Sequence, residues 1–401
     1  MSASTTSSQI RNWTGPALFS YGFRPFFLFG ALHAALMLAL WVPWHLGLIA
    51  LPSAFPPVAW HTHELLFGYV PAIVAGFLLT AVPNWTGRLP VVGWPLAALF
   101  GLWVMGRLVV AASLGLPPVV VAGLSLAFPL ALAVVIGREI AAGKSWRNLK
   151  VLGGVAAIAL AQALFHYEVW RHGRATYADH LAVAAALMLI MTVGGRVVPS
   201  FTTNWLKREN PGPLPMPFGL YDKASMVVAG AALCAWVAAP ALPAAGPFFG
   251  ALLIIAGGLQ TVRLARWQPH RTLAEPLVTV LHVGFAFVPL GFVLAGLALL
   301  RGIDEVATGA THAWTIGAIG TMTLAMMTRA TRGHTGQSLT APIGTVVIYA
   351  LMLAAVAARL TAVYVAGWMV PALSIAALAW VGAFGLFIVL YGPLLLRPKP
   401  S

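Results

Sequence analysis

The chain has 401 residues, of which 60% are hydrophobic and only 8% are charged. Soluble domains carry about a quarter charged residues, so this composition excludes a soluble enzyme. Lysine and arginine outnumber aspartate and glutamate by 23 to 9. In a chain of recurring apolar runs, such an excess indicates cytoplasmic loops and lipid headgroups rather than nucleic acid. We therefore expect a protein of the lipid bilayer with no nucleic-acid partner.

Apolar runs long enough to cross a bilayer recur from end to end and predict an all-α membrane protein of about twelve transmembrane helices. The predicted spans are 27–49, 62–83, 94–114, 117–137, 150–168, 178–199, 222–243, 246–264, 275–300, 306–328, 342–364 and 369–395. With the N-terminus in the cytoplasm, 18 of the 23 lysines and arginines fall on the inner side, as the positive-inside rule requires. The exceptions are Arg171, Arg174, Arg301 and Arg359 outside, and Arg107 within the third span. We expect one integral domain over residues 1–401, in a bacterial inner membrane, with both termini cytoplasmic.

The second, sixth and tenth spans share a pattern that indicates an internal repeat. Each begins with a histidine at its outer end and carries a threonine, equally spaced from that histidine, near its inner end. The histidines are His63, His180 and His312, and the threonines are Thr86, Thr203 and Thr335. Repetition at this period predicts three diverged four-helix units, 20–140, 145–266 and 272–396, around a common metal centre.

The histidines are also the candidate metal ligands. Cys234 is the only cysteine, which excludes an internal disulfide, a Cys-x-x-Cys site and an iron–sulfur cluster. Imidazoles from different helices can converge on a haem or a copper ion, and a neutral imidazole is less costly to bury in lipid than a charged group. The candidates are His63, His312, His180, His61, His166 and His282. Interfacial exposure, or a bond to a neighbouring carbonyl, is the alternative explanation for each.

The stretch "WHTHE" assigns different roles to its neighbours. His61 and His63 are two residues apart, so their side chains diverge by about 200° on one helix and do not share an ion. We take His63 as the ligand and His61 as a supporting residue or part of a second metal site. Glu64 and Glu168, near the same outer end, are candidate catalytic proton carriers.

Four arginines near the inner helix ends are candidate cofactor-binding residues. They are Arg24, Arg196, Arg329 and Arg332. A guanidinium group binds paired oxygens, so these residues suit haem propionates or another anion. The positive-inside rule and headgroup contact explain them equally well. Arg107, inside a span, requires a partner that the sequence does not name.

Several motifs resemble those of the NnrS family: "YGFRPFF", "WHTHELLFGY", "AGFLLTAVPNWTGR", "GGRVVPSFTTNWL", "LHVGFAFVPLG" and "MTRATRGHTG". The likeness extends from near residue 20 to about residue 340. It implies a polytopic bacterial inner-membrane protein of nitric oxide metabolism and nitrosative-stress tolerance, in a family reported to contain haem and copper. A more distant likeness links the chain to haem–copper oxidases and nitric oxide reductases, which carry histidines on spans 2, 6 and 10. Here span 7 lacks their histidine pair and span 10 has one histidine instead of two.

The resulting expectation is a haem b protein that binds nitric oxide and reduces it to nitrous oxide. His63 and His312 are the expected axial ligands, and His180 with His61 or His166 would serve copper or a second site. Electrons would come from quinol or a redox protein. One alternative is a non-catalytic nitric oxide sensor or scavenger on the same metals, and another is a small-molecule transporter without redox metals. The threefold spacing of the histidines argues against the twofold repeats that transporters usually show.

Overall fold

A computed structural model describes residues 13–398, which form twelve long helices and no strand. In chain order they are α1 Phe23–His45, α2 Pro57–Thr86, α3 Trp94–Ala111, α4 Pro118–Ala142, α5 Leu149–His172, α6 Tyr177–Glu209, α7 Leu220–Ala238, α8 Gly246–Ala265, α9 Pro276–Arg301, α10 304–334, α11 Ile343–Tyr364 and α12 Met369–Leu396. Each predicted span overlaps one helix, which confirms the all-α polytopic fold. The predicted cytoplasmic termini lie outside the described residues.

Eleven of these helices are long and apolar enough to cross a membrane. The exception is α10, which carries His312, Arg329 and Arg332 as well as several threonines. Polar side chains of this kind are costly in lipid unless they face protein or a polar cavity. Helix α10, which is absent from the eleven apolar spans, therefore also carries three of the predicted site residues.

The second helix begins earlier than the sequence analysis predicted. Its first residue is Pro57, preceded by Pro56 in an extended conformation with φ −58° and ψ 152°. Proline is favoured at the first helical position because its missing N–H is not needed there and its φ already suits the helix. His63 consequently does not open this helix but lies more than one turn inside it.

Two compact units make up the chain. Unit 1 comprises Met1–Ala182, Ala330–Gln337 and Phe384–Ser401, and unit 2 comprises Val183–Arg329 and Ser338–Ala383. Unit 1 contains α1 to α5 together with the end of α12, whereas unit 2 contains α7 to α9 and α11. The three predicted four-helix units stay a prediction.

In unit 1, helices α1 and α2 approach closely through glycines. A β-carbon on Gly76 would lie 2.7 Å from the ring of Phe27, and one on Gly30 would lie 2.8 Å from Ile73. Small residues at such crossings allow the van der Waals packing that holds helices together in lipid. Arg24, at the start of α1, is buried and donates hydrogen bonds to the carbonyls of Leu395 at 2.9 Å and Arg397 at 2.6 Å.

In unit 2, helices α8 and α9 cross at a pair of glycines. A β-carbon on Gly250 would lie 2.7 Å from the Gly296 carbonyl oxygen, and one on Gly296 would lie 2.6 Å from the Gly250 carbonyl oxygen. Both obstructing atoms belong to the backbone, so neither can move without separating the helices. This crossing therefore excludes any side chain larger than hydrogen at both positions.

We predict that Gly250→Ala destabilises the protein by about 1–3 kcal/mol, because the added methyl group overpacks the crossing. Gly258→Ala in the same helix is the matched control, since a β-carbon there meets nothing within 4 Å. Thermal unfolding in detergent should show a lower midpoint for Gly250→Ala and an unchanged or higher midpoint for Gly258→Ala. Equal midpoints for the two variants would contradict the close crossing.

Candidate functional site

A wide π-helical turn interrupts α2 immediately after His63, over Glu64–Tyr69. Similar segments interrupt α6 at Ile190–Gly194 and α10 at Ala313–Gly320. A π turn inserts an extra residue into the α-helical hydrogen-bond ladder, and such bulges occur frequently at functional sites. Among the described residues, these segments fall in the three helices that the sequence analysis singled out by their histidines.

Side-chain donors supply hydrogen bonds to carbonyls in the π segments. In α2, Trp103 Nε1 donates to the Gly68 carbonyl at 2.9 Å and His33 Nε2 donates to the Glu64 carbonyl at 3.1 Å. In α6, Arg263 Nη1 donates to the Met191 carbonyl at 3.2 Å. Carbonyls displaced from a regular ladder need such partners when buried. Tryptophan, histidine and arginine side chains thus stabilise the interruptions.

Glu64 is the centre of a buried polar cluster in unit 1. Its Oε1 accepts hydrogen bonds from His63 Nδ1 at 2.8 Å and from Arg107 Nη1 at 2.7 Å. Its Oε2 lies 3.2 Å from His33 Nε2. Glu64 is 1% exposed, so the guanidinium group of Arg107 supplies the counter-charge that a buried carboxylate requires. Arg107 therefore has the partner that the sequence could not name.

The glycine at position 68 makes room for this cluster. A β-carbon on Gly68 would lie 2.6 Å from both Arg107 Nη1 and His33 Nε2. The guanidinium group and the imidazole therefore lie directly against the backbone of the π segment. Any larger residue would displace at least one of the donors that hold Glu64.

The hydrogen-bond partners of His63 fix its tautomer. Nδ1 faces a carboxylate that also pairs with Arg107, and an ionised carboxylate only accepts hydrogen bonds. Nδ1 therefore carries the proton and Nε2 carries the lone pair. Within the described part of the chain Nε2 has no hydrogen-bond partner, although the side chain is 0% exposed. Metal-ligating histidines usually donate their second ring nitrogen to a carboxylate or carbonyl in this way.

Aromatic rings enclose His63. The ring centroids of Phe165, Phe55 and Phe67 lie 5.3, 5.4 and 5.5 Å from that of His63, and the His166 ring lies 5.1 Å away. Phe55 belongs to the loop between α1 and α2 and also contacts His166. The free nitrogen of His63 thus lies in an apolar environment with one other imidazole beside it.

His166 is held from α4 through a short polar chain. Its Nε2 lies 2.9 Å from the hydroxyl of Ser125, and Gln162 Nε2 donates to the same hydroxyl at 2.5 Å. Ser125 and Gln162 are fully buried. Neither residue is recognisable as a site residue from the sequence, because an isolated serine or glutamine in an apolar span carries no spacing signal.

The other predicted metal-ligand and proton-carrier residues of unit 1 are His61, His180 and Glu168, and each has different surroundings. The His61 ring stacks on that of Trp41 with centroids 4.0 Å apart, as expected for a residue that diverges from His63 on one helix. His180 is partly buried near the beginning of α6. Glu168 caps the same end of that helix, where its carboxylate accepts hydrogen bonds from the backbone amides of Thr176 at 2.8 Å and Ala178 at 3.2 Å.

In unit 2, two predicted histidines each have one ring nitrogen fixed. His312 Nδ1 donates to the Thr308 carbonyl at 2.8 Å, which leaves Nε2 with the lone pair. His282 Nε2 lies 2.8 Å from the hydroxyl of Thr202, while its buried Nδ1 has no hydrogen-bond partner among the described residues. Both therefore share with His63 the arrangement in which one nitrogen is anchored.

The predicted cofactor-binding arginines occupy different environments. Arg24 is engaged by backbone carbonyls at the end of α12. The guanidinium group of Arg329 lies 3.9 Å from the centre of the Phe201 ring, in a cation–π contact. Arg196 is exposed on α6 and Arg332 is partly buried near the end of α10. Their role toward a cofactor stays a prediction.

No group of three or more His, Cys, Asp or Glu side chains forms a metal site among residues 13–398. The cluster in unit 1 instead combines two predicted residues in direct contact, His63 and Glu64, with the neighbouring His166. Arg107 had been noted only as a buried charge. His33 joins this cluster because helix α1 packs beside α2. The spacing of residues in the sequence does not reveal that packing.

We predict that Glu64→Gln destabilises the protein by about 3–5 kcal/mol, because it leaves the buried Arg107 charge without its counter-ion. The double variant Glu64→Gln with Arg107→Met should recover most of that loss. Glu139→Gln is the control, since its partners Arg88 and Arg138 are 45% and 68% exposed and their guanidinium groups stay solvated without it, so this variant should lose less stability. Chemical unfolding in detergent measures all three, and a Glu64→Gln variant as stable as Glu139→Gln would refute the buried pair.

Comparison with known proteins gives one result. The sequence matches the NnrS protein family over residues 17–399, which is nearly the whole chain. No curated protein matches it. The chain therefore belongs to the NnrS family and is a membrane protein associated with the response to nitric oxide.

Proposed function

We propose that this protein binds nitric oxide at a redox metal held by His63 and reduces it to nitrous oxide, which protects the cell against nitrosative stress. The observation that carries the proposal is the buried, unpartnered Nε2 of His63, whose Nδ1 is anchored on Glu64. Membership in the NnrS family supplies the link to nitric oxide.

The residues present fit a histidine-bound metal. His63 in unit 1 and His312 in unit 2 each present an Nε2 lone pair because Nδ1 donates to a carboxylate or a carbonyl. We propose that haem b would be held by His63, with His312 as a separate candidate ligand in unit 2, and that His180 with His61 or His166 would hold copper as a second metal. A reduced haem or copper ion would supply a binding position for nitric oxide and the electrons for its reduction.

The chain's own residues have two tasks in this proposal. Glu64 orients the imidazole of His63 and keeps its proton on Nδ1, and the guanidinium group of Arg107 pairs with the carboxylate of Glu64. The aromatic rings of Phe55, Phe67 and Phe165 exclude water from the free nitrogen. Reduction joins two nitric oxide molecules, two electrons and two protons into one nitrous oxide and one water. We propose quinol in the inner membrane, or a redox protein, as the electron donor.

Binding without turnover is the second candidate function, and one feature favours it. The sequence analysis named Glu64 and Glu168 as proton carriers, but both carboxylates are occupied by hydrogen-bond donors. Glu64 accepts from His63 and Arg107, and its Oε2 lies 3.2 Å from His33 Nε2. These oxygens are engaged in structural contacts, whereas turnover requires the uptake of protons. A scavenger or sensor would need no such uptake.

We predict that the purified protein has a haem Soret band or a copper signal that shifts when nitric oxide is added. His63→Ala should lose the metal and the shift, whereas His172→Ala, at the exposed end of α5, should keep both. Absorption spectra and elemental analysis of the three preparations provide the test. A wild-type protein without metal, or a His63→Ala variant with wild-type metal content, would contradict the proposal.

We further predict that the reduced protein converts nitric oxide to nitrous oxide under anaerobic conditions when a quinol is supplied. Gas chromatography should detect one nitrous oxide for every two nitric oxide molecules consumed. Stoichiometric uptake of nitric oxide with no nitrous oxide would establish binding alone and reject the catalytic proposal.

A further inference from the structure

We propose that the loop between α6 and α7, residues 210–219, is an interfacial anchor that lies in the surface of the bilayer. The apolar side chains of this α6–α7 loop enter the boundary between lipid headgroups and acyl chains, and basic side chains beside it bind the phosphate groups of anionic phospholipids. The inference concerns unit 2 and does not depend on the proposed function.

The α6–α7 loop exposes several large apolar side chains in succession. Leu214, Met216 and Phe218 are 36%, 52% and 55% exposed. Leu220, the first residue of α7, is 82% exposed. Apolar side chains exposed singly need no explanation, but a contiguous group of this kind marks a surface that binds protein or membrane. The α6–α7 loop therefore has an apolar partner.

The lipid-facing side of α7 leads directly into this loop. Helix α7 is long and apolar enough to cross a membrane. Its exposed residues Leu220, Val227 and Cys234 are seven residues apart, which places them on one side of the helix. In a helix that crosses a membrane, that side contacts the acyl chains. Because Leu220 adjoins the α6–α7 loop, the apolar side chains of the loop continue the same surface, and the partner they fit is the bilayer.

The amides of the α6–α7 loop have little need of water. Every second residue from 211 to 217 is a proline, which has no N–H group. The amide of Met216 donates to the carbonyl of Arg266 at 3.0 Å, and the amide of Gly219 donates to the carboxylate of Asp222 at 3.0 Å. Most of the loop can therefore leave water without losing a hydrogen bond from its N–H groups.

Carbonyls of the α6–α7 loop bond to Arg271, in the connection between α8 and α9. The guanidinium group donates to the carbonyls of Asn210 at 2.7 Å and Pro211 at 3.0 Å. It also donates to the carbonyl of Pro213, and a β-carbon on Gly212 would lie 2.7 Å from it. In lipid, backbone polar groups must find their partners within the protein. This contact satisfies the backbone of the loop while its side chains stay exposed.

Basic side chains flank the α6–α7 loop at both ends. Lys207 and Arg208 lie near the end of α6, Lys223 lies in the first turn of α7, and all three are exposed. Within residues 13–398 none of the three forms a salt bridge. The adjacent Glu209 carries one negative charge, so the group keeps a net positive charge. Long basic side chains reach from an apolar surface to the headgroups, and an anionic leaflet attracts them.

The depth of the α6–α7 loop in the bilayer provides the first test. Full-length Phe218→Cys, in a Cys234→Ala background, is labelled with a nitroxide and placed in lipid nanodiscs that contain phosphatidylglycerol. Electron paramagnetic resonance with oxygen and a water-soluble nickel chelate should place the label about 5–10 Å into the boundary between headgroups and acyl chains.

Glu209→Cys in the same background is the control, because a label at this exposed charged position should stay accessible to the nickel chelate. If the label at position 218 is as accessible to the chelate as the label at position 209, the interfacial anchor is overturned in favour of an aqueous surface open to a soluble protein.

The binding of anionic phospholipid provides the second test. Native mass spectrometry counts the phospholipids that stay bound when the protein is released from nanodiscs of phosphatidylglycerol and phosphatidylcholine. The double variant Lys207→Gln with Arg208→Gln should retain fewer phosphatidylglycerol molecules than the wild type. The matched control is Arg171→Gln with Arg174→Gln, two exposed arginines that precede α6, and it should retain more than the first variant. Equal retention by the two double variants would overturn the role of the basic side chains.

Discussion

The carboxylate of Glu64 is the feature on which the arrangement of unit 1 depends. It accepts hydrogen bonds from His63 on α2 and Arg107 on α3, and it lies 3.2 Å from the Nε2 atom of His33 on α1. In a medium that cannot solvate charge, such a carboxylate is stable only with its counter-ion and donors in place. The same contacts fix the His63 tautomer, so one interaction determines both the packing of the helices and the chemistry of the free nitrogen.

The π segments of the two units are stabilised in the same way, by a buried arginine from a neighbouring helix. In unit 1 Arg107 lies against Gly68 in the π segment of α2 and pairs with Glu64. In unit 2 Arg263 donates to the carbonyl of Met191 in the π segment of α6 and pairs with Asp222 at 3.2 Å. A buried arginine with a carboxylate partner thus accompanies the interrupted helix in each unit. Such interruptions persist where neighbouring side chains satisfy the freed carbonyls.

Much of the fold could be predicted from composition, because apolar runs of membrane length dictate helices. The π segments could not be predicted, since they depend on donors such as Trp103 and Arg263 that come from other helices. The sequence identified His63 and Glu64 through their rarity in an apolar run, but Ser125 and Gln162 resemble ordinary helix-packing residues. Arg107 was recognised as a buried charge, whereas its partner depended on how α3 packs against α2. Helix α2 begins at Pro57, five residues before the predicted start of the second span at residue 62.

The central claim is that Nε2 of His63 is the point of attachment for a metal. The most direct measurement is a cryo-electron microscopy map of the protein purified from cells grown with iron and copper, with anomalous X-ray scattering to identify the element. The account predicts metal density about 2 Å from Nε2 of His63, with Nδ1 still on Glu64. A map in which Nε2 instead donates a hydrogen bond to protein or water, with no metal nearby, would contradict it.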